Sequence, residues 1–229
     1  MRTKPSQTKF AVCTTFLATF SCAALAETVS CGDSQVSVTF QRSEHATAVC
    51  NTVEQSETLF EQCNVPRISR PVTVNIVEDL KAGCVAIYHC DENDIEILTP
   101  SLMQERRKPD GAFADLSNDE YFKSVVVHEL THAASDNLSC PFQSCVAAEE
   151  YIAYSMQIMS LDPQSQAQFE DRSGLARRIS SDELSAIILF MAPDLFAQKA
   201  WAHLLQQKDA CHYIGQLVEG HILLDRGHF

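Results

Sequence analysis

The segment at residues 125–133, VVVHELTHA, constrains this chain more than any other stretch. His128 and His132 stand four residues apart, so an α-helix stacks them on one face, one turn above the other. Two imidazoles placed this way can share one divalent cation. Glu129, beside the first histidine, can then reach a water on that cation without becoming a ligand. A carboxylate next to such a water is the arrangement of general-base hydrolysis, and that is the physical content of an H-E-x-x-H pattern. Just upstream, Ser117-Asn118-Asp119-Glu120 has the form of a capping box, with Ser117 as N-cap. Phe122, Val126, Leu130 and Ala133 then recur at helical spacing and predict a buried stripe. Val125, Val126 and Val127 are poor helix formers, so burial rather than propensity must hold this segment helical. The pattern predicts a metal-bearing helix in the centre of a domain.

A catalytic zinc requires a third protein ligand and leaves one position open. The next helical stretch, residues 146–154, offers Glu149 and Glu150, about 100° apart around a helix axis. HELTHA followed some twenty residues on by E-x-x-A resembles the gluzincin branch of zinc metallopeptidases. The resemblance covers residues 117–157 and implies zinc held by His128, His132 and Glu150, with Glu129 as general base and a peptide or protein as substrate. In that branch the ligand is the glutamate three residues before a small residue, which favours Glu150, before Ala153, over its neighbour Glu149. Many gluzincins also carry a supporting aspartate four residues after that glutamate, where this chain has Tyr154. Asp136, one turn beyond His132, is left either to orient a ligand histidine or to serve as a solvated or C-capping carboxylate. His203, His212, Tyr213 and Tyr154 are candidates to stabilise an oxyanion, and none is singled out.

Residues 1–26 read as a cleaved secretory signal. Arg2, Lys4 and Lys9 form a basic head, residues 10–26 carry no charge, and Ala24-Leu25-Ala26 is a small-x-small cleavage pattern. Seventeen residues containing several Thr, Ser and Cys are short for a membrane span. The expected location is therefore exported, periplasmic or secreted, with no stable membrane insertion once the signal is removed. Loss of three bases and no acids moves the formal net charge from −13 to −16, with 14 Lys plus Arg against 30 Asp plus Glu. Such a balance argues against nucleic acid and anionic membrane surfaces as partners.

Residues 27–229 suffice for one domain, read through the resemblance as a single zincin-like metallopeptidase domain. This part keeps eight cysteines, an even count that in an exported chain predicts up to four disulfides. A helix between Cys50 and Cys63, and a strand between Cys84 and Cys90, would hold each pair too far apart to bond. Cys140 and Cys145 flank the short connection between the two metal-bearing helices and form the preferred local pair.

The remaining patterning predicts an α+β fold. Alternation marks strands at residues 36–41, 72–77, 84–89 and 94–98, the last two joined through Asp91-Glu92-Asn93 as a hairpin. Residues 44–62 read as the first helix, and residues 106–111 as a charged, turn-rich loop. Residues 163–178 are polar and glutamine-rich, expected as a loop with a short helix. A second capping box, Ser180 to Glu183, predicts a helix running to Met191; further helices start at Pro193 and span 209–220. The expected architecture is a small sheet over the two metal-bearing helices, followed by a helical C-terminal part. Two other functions fit the same residues: a zinc-stabilised binding or inhibitory protein without catalysis, and a non-peptide amidohydrolase.

Overall fold

The structure is a computed structural model that describes residues 26–225 apart from Asn137. The expected signal at residues 1–26 lies, except for Ala26, outside the described residues. Val36, Val38 and Phe40 turn inward from strand β2 (Val36–Phe40), while Ser37 and Thr39 lie half-buried between them. Helix α1 (Ser43–Gln62) then buries Ala46, Val49, Val53 and Phe60 on one face. It carries the chain over to β3 (Val72–Val77), which pairs parallel with β2, a pairing that requires a crossover of this length. Strands β4 (Ala86–His89) and β5 (Asp94–Leu98) form the expected antiparallel hairpin, with Asn93 in its turn at φ 52°. β5 lies parallel to β3, so the mixed sheet has the order β1-β2-β3-β5-β4 once β1 (Glu27–Ser30) is added antiparallel to β2. All four β1 residues are exposed, so no apolar alternation marks this strand in the sequence. The free edges of the sheet are therefore β1 and β4.

After the sheet comes α2 (Pro100–Arg106), opened by its proline, and then α3 (Asn118–Ser135), which carries both histidines. Ser117 caps α3 as expected, its hydroxyl accepting from the Glu120 N–H at 3.1 Å. Glu120 does not complete the box; its carboxylate accepts instead from the N–H of Asp162 at 3.0 Å. α4 (Val146–Met159) packs along α3, which also meets α1, α2 and β4. Ala147, Ala148 and Ala153 of α4 are buried, and small side chains of this kind let packed helices approach closely.

The C-terminal part is helical: α5 (Pro163–Ser173), α6 (Ala186–Met191), α7 (Pro193–Leu204) and α8 (Ala210–Val218). The fold is thus α+β, as the patterning predicts. Two boundaries differ. The polar stretch after Pro163 is a helix through Ser173, capped by Asp162 and ended by Gly174 at φ 55°. The box at Ser180 and Glu183 forms both of its bonds but opens only a 3-10 turn, because Leu184 leaves helical geometry to bury its side chain.

Three disulfides join Cys31 to Cys50, Cys63 to Cys211 and Cys140 to Cys145. The second ties α1 to α8 across 148 residues, and the third spans the α3–α4 connection. Cys84 and Cys90, at the two ends of β4, are free, so among the described residues three of the up to four expected disulfides form. The extended strand between them holds their sulfurs apart. Three disulfides point to an oxidising, exported environment. Among the described residues, no helix is long and apolar enough to cross a membrane.

Candidate metal centre

The four-residue spacing on α3 brings Nε2 of His128 to 3.2 Å from Nε2 of His132, with the rings inclined at 70°. α4 delivers Glu150 to the same point. Its Oε2 lies 3.5 Å from His128 Nε2 and its Oε1 3.6 Å from His132 Nε2. One ligand atom from each of the three residues falls within 4.8 Å of the others, so His128, His132 and Glu150 can hold a metal ion. The donor set itself fits a cation: two imidazole nitrogens and a carboxylate oxygen converge, and one side stays open to a cleft. Glu149 is not one of this group; it lines the cleft half-buried.

Burial sets the electrostatics. Glu129 is only 7 % exposed, and desolvation raises its carboxyl to about 7 although His128 pulls it back. Desolvation likewise pushes His132 down to about 4, helped by repulsion from His128. His128 is also penalised by burial, but the Glu150 carboxylate outweighs this and raises the imidazole above its ordinary value. Burial would raise Glu150 in turn, yet the bond to His128 holds it below the usual carboxylate range. The carboxylate that holds a proton on this imidazole can equally hold a cation, which must displace that proton.

These groups open onto a cleft of about 700 Å³ between β4 and the helices. Ile87 and Tyr88 form one wall; Phe113, Tyr121 and Tyr154 form an aromatic wall opposite. The Tyr154 ring stands edge-on to His128 at 4.6 Å between centroids. Its hydroxyl has no hydrogen-bond partner among the described residues, and burial together with Glu150 keeps it protonated. Of the four oxyanion candidates, only Tyr154 lines this cleft. His203 is instead bonded to the Tyr151 hydroxyl at 3.0 Å and packs against Tyr213.

Of two supporting contacts, one resolves alternatives that the sequence leaves open and the other is not marked in it. Asp136 stands at the C-cap of α3 and pairs with Arg70 rather than with a ligand histidine. The group that meets His128 is Gln157, whose Oε1 lies 3.0 Å from the imidazole Nδ1. No spacing rule marks a glutamine two turns beyond Glu150, although it does fall on the same face of α4.

No curated protein and no solved structure matches the chain. Residues 36–227 match DUF6639, a family of unknown function, and the chain belongs to that family.

Proposed function

We propose that this protein is a zinc-dependent peptidase of gluzincin type, acting after export to the periplasm or the medium. The observation that carries the reading is Glu129: a buried carboxylate, held near 7, beside three converging metal-ligand side chains at the floor of an open cleft. Zinc held by His128, His132 and Glu150 supplies a charge that polarises a carbonyl and acidifies a water. Glu129 then takes a proton at its carboxylate and returns it to the departing amine, work suited to a carboxyl poised near the operating pH. Tyr154, which lines the cleft beside His128 and stays protonated, is the residue we assign to donate a hydrogen bond to a carbonyl oxygen there. β4 is an edge strand that also lines the cleft, and apart from the Tyr88 N–H, which bonds Glu129, its main chain can pair with an extended peptide.

The test is Glu129→Gln, which keeps the size and hydrogen-bonding shape of the side chain but removes the base. Metal content and thermal unfolding should stay as in wild type. Hydrolysis of an unstructured protein or peptide library should fall ~10²–10⁴-fold. Equal cleavage by both proteins would refute Glu129 as the base. Metal retention without cleavage by either would favour a zinc-stabilised binding protein.

A further inference from the structure

We infer that Gln157 and Ser124 form a proton-directing relay that locks His128 as its Nδ1–H tautomer and leaves the Nε2 lone pair bare for a metal. The inference rests on the reading of His128, His132 and Glu150 as a metal centre, and it concerns how the protein prepares that site before any ion arrives.

The relay begins at a group that cannot donate. Ser124 Oγ donates to the backbone carbonyl of Tyr121 at 2.9 Å. Ser124 Oγ is then an acceptor for its next neighbour, Gln157 Nε2 at 3.2 Å. That fixes the amide: its nitrogen faces the serine and its oxygen faces His128 Nδ1 at 3.0 Å. An amide oxygen accepts only, so Nδ1 carries the hydrogen. The flipped amide would keep a partner for its oxygen only if Ser124 gave up its bond to the Tyr121 carbonyl. No bulk water replaces that bond, since Ser124 is 1 % and Gln157 2 % exposed. With the proton held on Nδ1, Nε2 faces Glu150 and His132 as a lone pair.

The placement of the relay adds to its effect. Ser124 precedes His128 by one turn of α3, and Gln157 follows Glu150 by two turns of α4. The relay therefore joins the two helices that the metal would join, and it sets the ligand ring within that joint. Its last member is a neutral amide rather than a carboxylate. The charge facing the metal then comes from Glu150 and Glu129, not from behind the histidine. Gln157 is a positioning residue, acting through His128.

Two measurements test this without any substrate. In the zinc-free protein, at a pH where the ring is neutral, nitrogen-15 shifts of His128 should report the Nδ1–H tautomer alone. Zinc affinity, measured by chelator competition, should fall ~10–100-fold in Gln157→Leu, the range for loss of such a supporting bond. Gln157→Glu keeps an acceptor opposite Nδ1 and should recover affinity to within a few-fold of wild type. An Nε2–H or mixed tautomer in wild type would overturn the relay, and so would unchanged zinc affinity in Gln157→Leu. The tautomer reading needs no variant to fold. Absence of zinc binding by wild type would refute the metal-centre reading itself, a result distinct from either of these.

Discussion

Asp225 accepts the backbone N–H of Ala148 at 2.9 Å from a position 77 residues further along the chain, and that of Ala147 at 3.0 Å. Cys145, at the N-cap of α4, makes no side-chain capping bond, so the C-terminal segment caps this helix from a distance. A carboxylate there also meets the positive end of the helix that carries Glu150. Gly220 lets the segment arrive: its φ is 73°, and a Cβ on it would lie 2.8 Å from Ser139. Asp225→Ala should therefore cost about 0.5–2 kcal/mol, the range for a lost helix cap, and weaken metal binding as the first turn of α4 loosens. Denaturant unfolding and metal competition on the same variant check both parts. Unchanged values in both would show that the cap does not hold the helix.

Glu150 and Glu149 separate by metal binding. Only Glu150 reaches both histidines, so Glu150→Ala should lose most of the metal affinity while Glu149→Ala keeps it. Titration of the two purified variants with zinc decides the matter, and the reverse order would shift the register of the α4 ligand by one residue.

Protons compete with the metal for the same nitrogens. Below the raised pKa of His128 its ring holds a second proton, which must leave before Nε2 can bind. His132, held at about 4, has already lost its second proton throughout this range. Zinc affinity should thus be steady above the raised pKa of His128 and drop about tenfold per pH unit below it as one proton is displaced. Competition titrations between about pH 5 and pH 8 read this slope. A flat profile across that range would exclude His128 as a ligand.

Local periodicity made the histidine-bearing helix legible. Ser117, the stripe from Phe122 to Leu130, and the His128–His132 spacing all lie within one element, where side-chain direction follows from sequence offset. The α2 and α5 helices were less legible because they bury so little: Met103 in one, Ser165 and Phe169 in the other. β1 buries nothing and left no mark. The supports of the site were hidden for another reason. Gln157 meets His128 across 29 residues, Arg70 meets Asp136 across 66, and Asp225 reaches Ala148 across 77. Such pairs depend on how the helices and termini pack, which no spacing within one segment encodes.

The cysteines give a counting test. Three disulfides leave Cys84 and Cys90 as thiols, so the processed, unreduced protein should show two thiols on titration under denaturing conditions. Eight would contradict the disulfides. Four would mean that one disulfide is open or that Cys13 and Cys22 are retained, which the mass of the chain tells apart.

The most direct test of the metal centre is metal analysis of the wild-type protein, purified without chelators, beside a His128→Ala/His132→Ala double variant. The geometry of His128, His132 and Glu150 predicts about one zinc per wild-type chain and none in the variant. A metal-free wild type able to bind none on titration, or a variant that keeps its full complement, would contradict it.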